Sequence, residues 1–280
     1  MKNVHVIALL LFFFALSNIN VFAQTETDTI KGIRKNIITM NDGEEYVGRI
    51  ISRDSSKVVV KTDNAEIILS HMDIKSIEDY EYYGKFKFPN LHDTRYFFAP
   101  TAIPIKKGNG YYQNMEVLLN FFNYGITKNI SIGGGFEFIS LVNGNPIIFF
   151  TPKVGFRLTE KIHAGGGVFF GTMITEEGSF TLPYAVTTFG SSESNFSVGG
   201  GIGLTGGTSG DPAIMFSGTH RVSNYIALLT ENYLITGENG IYIGIHGIRI
   251  IARKNAFDIG IGFVTEAGTP IPFIGYVRVF

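Results

Sequence analysis

Hydrolytic chemistry on a chain of this kind would have to start from its histidines. Three of them, His163, His220 and His246, fall in strand-like runs. A surface hydrolase needs such a residue beside a serine or an aspartate. His163 and His220 sit at the short-turn ends of their runs and His246 at mid-run. The chain carries no nucleophile elbow, no carboxylate pair at fixed spacing and no phosphate loop. Its glycine-rich strings lie inside strands, not between a strand and a helix, so they are not nucleotide loops. Cysteine is absent, which excludes thiolate metal sites and disulfides. His71 and His92 stand singly in the N-terminal third. No catalytic residue, cofactor site or metal site is assigned, and the chain reads as a non-enzyme.

Charges and glycines that alternate with apolar residues carry more information. The strings "ISIGGGFEF" (Ile130 to Phe138), "IHAGGGVFF" (Ile162 to Phe170) and "FSVGGGIGL" (Phe196 to Leu204) each put three glycines into an apolar run. Glycine weakens a strand, so the architecture must call for it. Ile130, Ile132, Phe136 and Phe138 share one face; Ser131, Gly133, Gly135 and Glu137 share the other. The same period opposes Gly165 and Gly167 to Val168 and Phe170, Gly199 and Gly201 to Val198 and Ile202, and Asp258, Gly260 and Gly262 to Phe257, Ile259, Ile261 and Phe263. One face is greasy and the other small or polar, the pattern of a barrel with lipid outside and a lumen inside. The lumen-facing candidates are therefore Glu116, Glu137, Lys153, Arg157, Asp258, Arg278 and these eight glycines, with Arg249 beside them. Their charges have two readings: a ladder of cross-lumen ion pairs that closes the pore, or the lining of a weakly selective channel. The glycines have two as well: clearance for a passage or plug, or curvature and close strand packing.

The elements that hold these residues recur about every ten positions, near 95–103, 110–123, 130–140, 147–157, 161–172, 180–190, 195–206, 212–220, 224–236, 241–252, 256–265 and 271–280. Connections alternate between Gly-bearing loops ("KKGNG", "VNGNP", "TEEGS", "GTSGDP", "TGENG", "EAGTP") and short turns ("ITKNI", "LTEKI", "SESNF", "VSNY", "RKNA"). Alternating turn classes mark the two ends of an up-and-down sheet. The expectation is an all-β antiparallel transmembrane β-barrel of twelve strands, with ten as the fallback. The run 224–236 alternates poorly, and 241–252 predicts a bulge at His246-Gly247. Tyr111, Tyr112, Phe149, Phe180 and Tyr242 near the Gly-bearing loops, and Phe121, Phe156, Phe189, Phe196, Tyr225, Phe257 and Phe280 near the short turns, would form two girdles. Twelve strands about 4.8 Å apart and tilted about 40° enclose a backbone diameter of roughly 24 Å.

Ahead of the barrel, Lys2, the apolar run Val6 to Leu16 and the small residues before Gln24 predict an export signal over 1–23, followed by a flexible segment over 24–35. Residues 36–80 hold several short strands around turn signals at Asn41-Asp42-Gly43, Arg53 to Ser56 and Asp63-Asn64. A linker over 81–94 leads to the barrel, 95–280. The strand and turn order of 36–80 resembles SH3-like and Sm-like barrels. Five basic residues against nine acidic ones repel phosphate, so nucleic acid is not an expected partner. The expected role is a periplasmic docking or capping module, the first taking another protein as partner.

"TRYFFAPTAIPIKKGNGYYQN" (Thr94 to Asn114) and "NYGITKNISIGGG" (Asn123 to Gly135) resemble a group of uncharacterised Bacteroidetes-type outer-membrane proteins built as signal, small β-module and barrel. That resemblance implies the bacterial outer membrane with both termini periplasmic, outer-membrane lipid as the surroundings, and no specific activity. The last strand, "PFIGYVRVF", resembles the signal by which barrel-assembly machinery recognises its clients, carried by Gly275 and terminal Phe280. The expected function is a narrow passive channel for small solutes, or a non-conducting structural barrel that anchors the periplasmic module.

Overall fold

The computed structural model describes residues 35–280 except 63, 81–85, 176–177, 207, 238–239 and 266–268. The export signal at 1–23, and the segment 24–35 up to residue 34, lie outside the described residues. The chain divides into two compact units, one up to residue 83 and one from residue 84 onward.

The first unit is a five-stranded antiparallel sheet. Its strands are β1 (Lys35–Met40), β2 (Glu45–Arg53), β3 (Lys57–Lys61), β4 (Glu66–Ser70) and β5 (Ile74–Tyr80), in the order β4-β3-β2-β1-β5. A register shift between Ile50 and Ser52 bends β2. Alternation on β3 sends Val58 and Val60 into a core with Ile38, Met40 and Leu69. The Asp54 carboxylate accepts hydrogen bonds from Ser56 N, Ser56 Oγ and Lys57 N. These bonds fix the β2–β3 turn and hold the Asp54 pKa below the usual carboxylate value.

The second unit is a closed antiparallel barrel of twelve strands. In chain order they are β6 (Gly110–Met115), β7 (Leu119–Gly125), β8 (Ile130–Glu137), the interrupted strand β9 (Ile147–Phe150) with β10 (Lys153–Arg157), β11 (Ile162–Met173), β12 (Ser179–Gly190), β13 (Ser194–Thr205), β14 (Thr208–Arg221), β15 (Ile226–Ile235), β16 (Ile241–Ala252), β17 (Asn255–Val264) and β18 (Ile271–Val279). Thr151-Pro152 separates β9 from β10, and both halves lie between β8 and β11. The β18–β6 ladder, with Val279 opposite Tyr111, closes the wall and leaves no free edge. A short helix, α1 (Phe138–Val142), follows β8.

Three sequence expectations change here. The run 95–103 is not a wall strand, and 110–123 is two strands, β6 and β7, that reverse at Glu116-Val117. Both turn residues have positive φ, 53° and 63°, without a glycine to announce the turn. One strand is lost and one gained, so the count stays at twelve. The expected bulge at His246 is absent: β16 keeps continuous register with β15 and β17, and His246 faces outward with its Nδ1 2.9 Å from Thr230 Oγ1. The expected girdles also lose members. Phe121, Phe149 and Phe180 pack around Phe169 on the inner face of the barrel, and Tyr111 lies inside beside Arg95. Phe156, Phe189, Phe196, Tyr225, Phe257 and Phe280 remain exposed.

The outer surface is otherwise a band of exposed apolar side chains, including Ile132, Val198, Ile214, Ile259, Ile261 and Ile274. Register explains two of the three glycine strings. Gly165, Gly166 and Gly167 of β11 lie opposite Val186, Ala185 and Tyr184 of β12. On the other side, the same three residues lie opposite Gly199, Gly200 and Gly201 of β13. Gly167, Gly199 and Gly201 therefore leave space for Val186 and Tyr184, which turn into the lumen.

Candidate functional site

The lumen holds the segment 86–105. It enters beside the short turns, where Lys87 N donates to Asn224 Oδ1 and Asn90 N to Glu193 Oε1. At this rim Arg221 donates from Nη1 to Phe88 O and to Glu193 Oε2, and its guanidinium lies over the Phe86 and Phe88 rings. The segment then folds as a tight hairpin: Tyr96 N donates to Ala99 O, Thr101 N donates to Thr94 O, and Arg95 bridges Pro100. It returns to the same rim to start β6. Pro89, Pro100 and Pro104, which cannot donate to a ladder, suit it to a lumen rather than to a wall strand.

Wall side chains satisfy the hairpin backbone at several depths. Arg249 of β16 and Asp258 of β17 are register partners and make a bidentate pair, Nε–Oδ1 2.7 Å and Nη2–Oδ2 2.9 Å. Arg95 of the hairpin joins them, with Nη1 3.1 Å from Asp258 Oδ2. All three side chains are at most 3 % exposed, so their charges compensate one another away from water. Arg249 also donates to His92 O and Tyr96 O. Glu231 of β15 accepts from Phe98 N and Ala99 N, each at 2.9 Å, and from Tyr233 Oη. Lys153 of β10 donates to Ile103 O and Thr94 O. Thr188 Oγ1 accepts from Ala102 N, Gln113 Nε2 donates to Phe97 O, and Tyr96 Oη donates to Asn195 Oδ1.

Packing completes the seat. Tyr96, Ala99 and Ala102 form one core with Val186 and Met215, and Phe97 with Phe88 forms another with Ala227, Leu229 and Ile251. The Phe97 ring lies against Gly260, where an added Cβ would stand 3.3 Å from it. A Cβ on Gly155 would meet Ala102 O at 2.5 Å. Gly133 and Gly135 leave room for Asn123, Thr151 and Phe121, Gly167, Gly199 and Gly201 do so for the β12 side chains described above, and Gly165 lies against the β10 backbone at Val154 O. Gly262 faces the same way nearer the far rim, with Ile271 O at 3.4 Å from its Cβ position.

The sequence-assigned charges separate into two groups. Lys153, Asp258 and Arg249 lie in the lumen against the hairpin. Arg157 is exposed at the short-turn rim and donates to Thr159 O. Glu116 is exposed in the β6–β7 turn, its Oε1 accepting from Ile274 N. Glu137 caps α1 by accepting from Ile139 N and Ser140 N. Arg278 is exposed on the outer face near Asn255, because Gly275 and Val277 take the inward positions of β18. Gly275 lies opposite Asp258, and Phe280 exchanges backbone hydrogen bonds with Gly110. His163 and His220 sit near the short turns, His220 Nδ1 2.9 Å from Ser194 Oγ. Sequence reasoning missed Arg95, Glu231 and Arg221. Glu231 was visible as the one acid inside "YIALLTENYLIT", but Thr230 and Asn232 on its outward side blur the alternation.

No protein-family model matches the chain, and no curated protein matches it. Among solved structures, a KdgM porin in complex with disordered oligogalacturonate is similar at TM-score 0.49 and 6 % identity, covering 61 % of this chain and 98 % of that one. The NanC porin is similar at TM-score 0.41 and 9 % identity, covering 61 % and 97 %. The outer-membrane-expressed OmpT of Vibrio cholerae is similar at TM-score 0.33 and 15 % identity, covering 88 % and 95 %.

Proposed function

We propose that this protein is an integral outer-membrane β-barrel whose lumen is closed by its own hairpin, and that the barrel anchors the module of residues 36–80. The observation that carries the reading is the buried Arg95–Asp258–Arg249 cluster, in which two wall residues and one hairpin residue share a single carboxylate. Withdrawing the hairpin would leave Asp258 with one partner and strip Glu231 of two amide donors, each a costly loss in a low dielectric. The closed ladder and exposed apolar band suit a surface that faces acyl chains, since a bilayer admits only strands without free edges. The reading is non-catalytic.

The short-turn rim, where the hairpin enters, faces the periplasm in this reading, with both chain termini on that side. Outer-membrane lipid contacts the apolar band, barrel-assembly machinery recognises the strand that ends Gly275 to Phe280, and the acidic module binds a periplasmic protein. A second reading, a narrow passive channel for small solutes, draws on the width of a twelve-stranded wall, which exceeds what side chains alone can fill.

Planar-bilayer conductance separates the two. The full chain is expected to be silent and a variant lacking residues 86–105 to conduct. Steady conductance through the full chain would overturn closure and favour the channel.

A further inference from the structure

Between the hairpin and the wall of β6 to β15 lies a cavity of about 140 Å³. Phe98, Phe121, Phe169, Leu182, Tyr184 and Met215 supply its apolar and aromatic surface, and among the described residues Arg95 and Lys153 are its charged lining. No carboxylate is among the residues that line it. The acids nearby are Asp258, bound to Arg249 and Arg95, Glu231, bound to the amides of Phe98 and Ala99, and buried Asp93, which interacts with Lys153 and Lys106. Arg95 uses Nη1 for Asp258 and Tyr96 O, while its buried Nη2 has no hydrogen-bond partner among the described residues. A guanidinium nitrogen left without an acceptor at such depth is costly.

We propose that this cavity binds a compact organic anion, a carboxylate carried on an aromatic or similarly flat apolar body. Volume sets the body: a dry apolar cavity of about 150 Å³ accepts benzene. Charge sets the head: the lining holds Arg95 and Lys153 and no carboxylate, and the unpartnered Nη2 of Arg95 offers a charge-assisted donor that a carboxylate oxygen can take. The aromatic walls hold the ring by edge and offset contacts. The glycines of β11 and β13 belong to the same arrangement, because they let Tyr184 turn inward and form one wall. The site goes beyond closure of the lumen and is independent of whether the barrel conducts.

The test is calorimetric titration of the full-length, detergent-solubilised barrel with benzoate, with benzyl alcohol and chloride as probes that lack the charge or the body. Saturable one-to-one binding of benzoate is expected, with at least tenfold weaker binding of either control. Lys153→Gln is expected to weaken benzoate at least tenfold. Because Lys153 also holds the hairpin, Leu182→Trp is the second variant: it keeps both cations, fills the cavity, and is expected to abolish binding while circular dichroism retains the barrel spectrum. Absence of saturable benzoate binding to the unaltered protein overturns the proposal. So does equal binding of benzyl alcohol, or undiminished binding to a folded Leu182→Trp variant.

Discussion

Arg249 and Asp258 face each other across adjacent strands and bind through both carboxylate oxygens, while Arg95 of the hairpin donates to Oδ2 of the same group. Two cations therefore depend on one anion that is 2 % exposed. Asp258→Asn keeps the shape and removes the charge, leaving both guanidinium groups without a counter-ion. Removing one partner from a buried pair costs about 3–5 kcal/mol. The expected result is a lowered unfolding midpoint in detergent and new protease sensitivity within residues 86–105. Unchanged stability and unchanged cleavage would show that the pair does not hold the hairpin.

Glu231 fastens the tip of the hairpin by accepting two consecutive backbone amides. Hydrogen bonds to a charged group contribute about 1.5–3 kcal/mol each. Glu231→Ala should therefore release the tip without opening the wall, since the β14–β15 and β15–β16 ladders do not use the side chain. Hydrogen exchange at Phe98 and Ala99 is expected to accelerate roughly tenfold or more, with exchange on β15 unchanged. Equal acceleration on the wall would mean that the barrel, not the tip, had loosened.

How far the sequence exposes this arrangement depends on what surrounds each residue. Alternation located the wall strands from β8 to β18 and the inward positions of Lys153 and Asp258, because lipid outside and polar groups inside impose opposite demands every second residue. It failed on Tyr96-Phe97-Phe98-Ala99, since an apolar segment packed inside a lumen is as dry as one facing acyl chains. Arg278 was misplaced for a different reason: it lies near the end of its strand, where an outward charge reaches water. The β6–β7 reversal went unseen because Glu116 and Val117 adopt positive φ without the usual glycine. The glycine strings became interpretable only in register, once Tyr184 and Val186 were seen to lie between two of them.

Glycines on the two faces of the wall should respond oppositely to substitution. Gly155 faces the hairpin, and a side chain there meets Ala102 O at 2.5 Å, a backbone atom that cannot swing aside. Gly218 faces outward, with its nearest neighbour at 3.5 Å, an ordinary contact. Gly155→Val is expected to destabilise by about 1–3 kcal/mol through overpacking, and Gly218→Ala to be neutral or slightly stabilising because alanine loses less backbone entropy. Urea unfolding of the two variants checks the contrast. Equal effects would separate the inward glycines from the hairpin.

The membrane assignment makes its own demand on Ile259, which is half exposed at the middle of β17 on the outer face. In water, a lysine there would be an ordinary surface residue. At the middle of a bilayer a lysine on a barrel's lipid face costs about 2–4 kcal/mol. Ile259→Lys is therefore expected to lower folding stability in phospholipid vesicles by that amount. Ile68, 67 % exposed on β4 of the N-terminal unit, provides the internal comparison: Ile68→Lys places the same charge on a surface that meets water and should shift stability by no more than about 0.5 kcal/mol. If the two substitutions cost the same in vesicles, the apolar band around β17 does not face lipid, and the closed barrel must bury that face some other way.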